Sequence, residues 1–101
     1  MPIERKPANP VPKGQVPANS VPHRVRDGES WYTLADRYGV DVTAIIRANF
    51  NTTNPDEVNW YLRHYVGCNK PTRDGKNWTF STSASPGIVH IPPKHLVFPP
   101  E

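Results

Sequence analysis

Residues 23–50 read His-Arg-Val-Arg-Asp-Gly-Glu-Ser-Trp-Tyr-Thr-Leu-Ala-Asp-Arg-Tyr-Gly-Val-Asp-Val-Thr-Ala-Ile-Ile-Arg-Ala-Asn-Phe, and this stretch decides the fold. It predicts a short strand at Val25-Arg26, a polar turn at Asp27-Gly28-Glu29-Ser30 and two capped helices. Ser30 is an N-cap, because its side-chain oxygen can accept from backbone N–H groups left unpaired at a helix start. Leu34, Ala35 and Tyr38 repeat at helical spacing with Trp31. Gly39 supplies a left-handed stop. Asp41 caps again, and Val42, Ile45 and Ile46 form a second apolar stripe that ends at Asn49. Helices this short are not stable alone in water, so the two must pack on each other and on a sheet.

Working outward, the segment 51–85 is long but patterned. Asn54-Pro55-Asp56-Glu57 has the form of a helix start, with Asn54 as cap, Pro55 at the first helical position and Glu57 reaching back. Val58, Tyr61, Leu62 and Tyr65 then share one face of a third helix that ends near Gly67. Asp74-Gly75 marks a turn. The alternation Asn77-Trp78-Thr79-Phe80-Ser81 predicts a third short strand or pinned loop beside the last strand.

Composition bounds the rest. The chain has 101 residues and 13 prolines, and six of these prolines fall in the first 22 positions. Val-Pro recurs at 11, 16 and 21. Proline fixes φ and removes a donor, so residues 1–22 are expected to form a flexible, extended arm. The folded domain is then 23–98, with 99–101 as a tail, and Leu96, Val97 and Phe98 form an apolar strip for docking back or for a partner. The net charge of +3 includes +2 from the arm, which leaves the body at +1. Such a body offers no field for phosphate tracking, so nucleic acid is not an expected partner. No run approaches the ~20 apolar residues of a membrane span. The opening Met-Pro-Ile-Glu-Arg-Lys-Pro lacks the apolar core of a secretory signal. Cys68 is the single cysteine, which rules out an intramolecular disulfide.

The strand, the Asp27-to-Ser30 turn, Leu34-Ala35-Asp36-Arg37-Tyr38-Gly39-Val40, Ile45-Ile46-Arg47-Ala48-Asn49 and the late Pro86-Gly87-Ile88-Val89-His90-Ile91-Pro92 occur in one order. That ordered set resembles the LysM family of glycan-binding modules, over residues 23–50 and 86–92. The resemblance implies an α+β fold, β-α-α-β with a two-stranded antiparallel sheet, to which this chain adds the insertion 51–85 with its extra helix. It implies non-catalytic binding of N-acetylglucosamine-containing polymers, peptidoglycan or chitin. The family's groove maps to Asp27, Gly28, Glu29 and Ser30 on one wall and to Asn49, Phe50 and Asn51 on the other. Asp, Gly, Ser and Asn also serve simply as caps and turns, and the insertion starts at the second wall. Secreted eukaryotic chitin binders of the family usually carry disulfides, so a lone cysteine points to a bacterial or phage source.

The residues favour no chemistry of their own. No nucleophile elbow or spaced carboxylate pair accompanies Ser30. His23, His64, His90 and His95 lack the paired spacing of a zinc site and read as surface histidines. No cofactor is expected. Trp31 reads as core, Trp60 lies off the third-helix stripe as the more exposed ring, and Trp78 is open between core and sugar platform. Two functions fit. One is a peptidoglycan-binding module of the bacterial cell envelope. The other is an adaptor in a phage tail or contractile secretion machine, exported within that assembly and contacting a protein partner.

Overall fold

Val21–Arg24 (β1) and Ile88–Ile91 (β4) pair antiparallel, with Val21 opposite Ile91 and Arg24 opposite Ile88, in a computed structural model that describes residues 2–93. The Val25 N–H extends the ladder to the Gly87 carbonyl at 2.8 Å. The strand therefore begins earlier than the sequence pattern suggested and takes in Val21 and Pro22 from the proline-rich segment. Pro22 is tolerated because β1 has a ladder neighbour on one side, and an outer strand can lack a donor. Val25, Val89 and Ile91 point into the core.

Two helices follow β1: Trp31–Tyr38 (α1) and Val42–Phe50 (α2). Ser30 caps α1 as expected, and its partner in the capping box is Thr33, whose hydroxyl receives the Ser30 N–H at 2.8 Å. Gly39 ends α1 at φ 67°, in the left-handed region. Asp41 caps α2, which runs one residue past Asn49 and ends on Asn51 at φ 57°. Leu34, Val40, Ile45 and Phe50 fill the space between these helices and the β1–β4 sheet.

The insertion opens with Pro55–Tyr61 (α3), capped by Asn54, whose Oδ1 accepts from the N–H groups of Asp56 and Glu57. Glu57 does not reach back to that cap; its carboxylate accepts from the Thr52 hydroxyl at 2.6 Å. A single π-helical turn over Leu62–Val66 continues the helix to Gly67. The face read from the sequence is inward: Val58, Tyr61 and Leu62 are buried and Tyr65 packs beside them. Lys70–Pro71 (β2) and Trp78–Thr79 (β3) form a second small antiparallel sheet. The short strand at 78–79 thus pairs within the insertion rather than with β4.

Aromatic contacts join α1 and α2 to the insertion. Phe50 at the end of α2 lies face to face on Tyr61 of α3, ring centroids 4.7 Å apart. Trp31 meets both Phe50 and Phe80 edge-on, at 5.9 Å and 4.9 Å. The segment before β1 lies against this insertion instead of standing clear of it. The Arg5 N–H donates to the Asp56 carbonyl at 3.0 Å, and the Val11 N–H donates to the Tyr61 hydroxyl at 3.0 Å. The Tyr65 hydroxyl returns a hydrogen bond to the Val11 carbonyl. Pro2 and Pro7 are buried. The tail with His95, Leu96, Val97 and Phe98 lies outside the described residues.

Candidate functional site

The seven residues mapped from the family groove do not share one surface. Asp27 is spent on the insertion: its Oδ1 accepts the Thr82 N–H at 2.9 Å, and its own N–H donates to the Thr82 hydroxyl at 3.1 Å. Gly28 holds φ 85°, so the turn depends on its left-handed backbone. Glu29 turns its carboxylate inward, accepting from the Arg26 N–H at 2.8 Å and lying 3.0 Å from His23 Nε2. Ser30 accepts from the Thr33 N–H at 3.2 Å as a helix cap.

On the other wall, Asn49 acts as a short strand surrogate. Its Nδ2 donates to the His90 carbonyl and its Oδ1 accepts the His90 N–H, both at 2.8 Å, which satisfies the free edge of β4. Phe50 is 4 % exposed and belongs to the core. Asn51 is exposed as the left-handed cap of α2.

An open cleft of about 320 Å³ does lie along the expected path, between the β1–α1 turn and the segment after α2. Glu29, Ser30, Trp31 and Tyr32 form one wall, and Thr53 and Pro55 form the other. Ile46 of α2 and the insertion supply the remainder, the latter including Asn59, Asn77, Trp78 and Phe80. The insertion therefore borders this cleft instead of filling it. Asn49 and Phe50 line a different cavity of about 230 Å³, roofed by Val11, Pro12, Gly14 and Val16 of the arm. Asp27, Gly28 and Asn51 line neither.

Sequence reading missed Tyr32, Thr53 and Asn77 as lining residues, and Trp78, open there between core and sugar platform, is buried and lines the cleft. Tyr32 carried a signal, being a large aromatic off the apolar face of α1, and it stands 73 % exposed at the rim. Asn77 carried none, since its approach depends on how the insertion returns. Trp31, read as core, is half-buried and serves both core and cleft. Trp60 is also half-buried, its ring 5.2 Å from Tyr61. The surface reading of the histidines fails at His23, which is buried between Tyr38, 2.9 Å from Nδ1, and Glu29.

Burial alone raises the Glu29 carboxyl, but hydrogen bonds from His23 and the Arg26 N–H, with the charges of His23 and Arg37, outweigh it and hold the pKa below the ordinary value. The Cys68 thiol is pushed up to about 11 by burial. Among the described residues no group of His, Cys, Asp and Glu has the arrangement of a metal site, and no helix is long and apolar enough to cross a membrane.

A strand, two capped helices and a returning antiparallel strand, with a cleft at the first strand–helix turn, define a small α+β module of β-α-α-β order. Residues 23–59 match the LysM domain family. The match spans the end of β1, both first helices and most of α3, while β4 lies beyond it. No curated protein and no solved structure matches the chain. LysM domains are, in general, non-catalytic binders of glycans.

Proposed function

We propose that this protein binds N-acetylglucosamine-containing cell-wall glycan, peptidoglycan in the first place, without cleaving it, in the cleft between the Glu29–Tyr32 turn and Thr53–Pro55. The observation that carries the reading is that this cleft stays open although the insertion borders it. Its 320 Å³ falls in the lower part of the range, about 300–1,000 Å³, in which small ligands are held. The lining has the mixture a pyranose needs. Trp31 and Tyr32 offer apolar ring surface for the C–H face, over a floor of buried Trp78 and Phe80, and Thr53, Asn77 and Thr79 offer hydrogen-bonding groups for hydroxyl and N-acetyl atoms. Ser30 is committed to capping, which supports binding rather than nucleophilic chemistry. The location that goes with this ligand is the bacterial cell envelope.

One such cleft gives modest affinity, so strong attachment comes from several copies or from a larger assembly. Titration of the full chain with N-acetylglucosamine oligomers, followed by NMR, tests the reading. The signals of Ser30, the Trp31 indole, Tyr32, Thr53 and Asn77 should move together, and longer oligomers should bind more tightly. Tyr32→Ala removes an exposed ring and should weaken binding with the fold intact. If about 5 mM oligomer moves none of these signals, binding is weaker than roughly −3 kcal/mol and the glycan reading gives way to the adaptor reading.

A further inference from the structure

The start of the chain is built into the back of the cleft wall. The Glu4 carboxylate accepts the Trp78 indole N–H at 2.9 Å, and the same oxygen lies 2.7 Å from Arg63 Nε. His64 Nε2 stands 3.6 Å from the other oxygen, and the Glu4 side chain is 16 % exposed. One residue earlier, the Ile3 carbonyl accepts from Asn59 Nδ2 at 3.2 Å. Asn59, itself 1 % exposed, passes this on: its Nδ2 also donates to the Lys76 carbonyl at 3.1 Å, and its Oδ1 accepts the Trp78 backbone N–H at 3.2 Å. Asn59 and Trp78 both line the cleft.

Trp78 sits on a sheet of two residues per strand, too short to fix a large side chain by itself. An indole N–H removed from water needs an acceptor, and a carboxylate gives a stronger and more directional bond than a neutral one. Two bonds therefore hold Trp78 at backbone and ring, and both lead to residues 3 and 4, directly or through Asn59. Further along, Arg5 and Val11 tie the same segment to α3 and the π-helical turn.

We propose that residues 2–11 form a strap that sets the Trp78 wall of the cleft, with Glu4 as the positioning residue, so that glycan affinity depends on a segment that makes no contact with the glycan. The affinity half of this proposal rests on the glycan reading of the cleft; the positioning half does not. The test uses the full chain with Glu4→Ala and Glu4→Gln. In Glu4→Ala the Trp78 indole N–H signal should shift and exchange with solvent about tenfold faster, as expected for loss of a charge-assisted hydrogen bond. Amides of Val25 and Val89 in the main sheet should stay protected, which reports that the fold is intact. Affinity for an N-acetylglucosamine oligomer should fall severalfold. Glu4→Gln keeps an acceptor for the indole and should restore most of the slow exchange.

An unchanged Trp78 indole in Glu4→Ala overturns the strap whatever the glycan does. A loosened indole with unaltered affinity overturns the positioning role. If the parent chain binds no oligomer, the cleft reading fails by itself, and the strap then stands or falls on the indole exchange alone.

Discussion

Glu29 sits at the point where three elements meet, receiving His23 from β1, the Arg26 N–H from the turn and Arg37, 3.6 Å away, from α1. Its folded pKa lies below the ordinary 4.5. A carboxyl whose pKa is depressed by folding adds stability that is fully present above its unfolded value and is lost as pH falls through the lower folded value. Melting temperatures of the parent should therefore drop on acidification below about pH 4.5, and Glu29→Gln should flatten that part of the curve. Parallel curves would show that the three contacts carry no proton linkage. Cys68 gives a second expectation at this scale. Fully buried and with its thiol raised to about 11, it should resist alkylation at neutral pH in the folded chain and react at once in denaturant.

At the level of elements, the inserted helix is part of the core and not an ornament. Leu62 is 2 % exposed, so Leu62→Ala should cost about 2–5 kcal/mol in denaturant titration. Lys70→Ala on β2 is the matched exposed control. Arg63, though also exposed, is unsuitable as a control because it pairs with Glu4. The helix ends at Gly67 with φ 91°, where a Cβ would collide with the backbone of Ser85. Gly28 also has positive φ, 85°, but open space around it. Gly28→Ala should then cost about 1–2 kcal/mol of left-handed strain, and Gly67→Ala clearly more. Equal denaturation midpoints for these two variants would show that the loop at Ser85 yields freely.

For the whole molecule, Phe50 is the joint. It closes α2, stacks on Tyr61 of the insertion and receives the edge of Trp31. Phe50→Ala should cost about 3–5 kcal/mol, a large share of the 5–15 kcal/mol typical of a domain. Near-ultraviolet and far-ultraviolet circular dichroism should report one coincident unfolding transition in the parent. Two separated transitions would mean that the LysM part and the insertion are independent units.

Features settled within a few residues could be read from the chain alone. Ser30, Asp41 and Asn54 cap, Gly39 stops, and Val58, Tyr61 and Leu62 face inward, because these outcomes depend on hydrogen bonds and periodicity over one or two turns. The family and the β-α-α-β order were legible for the same reason: they are strings of such local signals. The site was legible in half. The Glu29–Ser30 wall follows from its own turn, whereas Asn49 and Phe50 carried an ambiguous signal, since an amide and a ring serve a sugar or a core equally well. Long-range packing separates those uses, by bringing His90 beside Asn49 and Tyr61 against Phe50. It likewise decided that the proline-rich start packs against the cleft wall. The Glu4–Trp78 bond joins residues 74 positions apart, and no local preference encodes an encounter of that span. It exists because the insertion folds back and leaves an indole N–H that needs an acceptor.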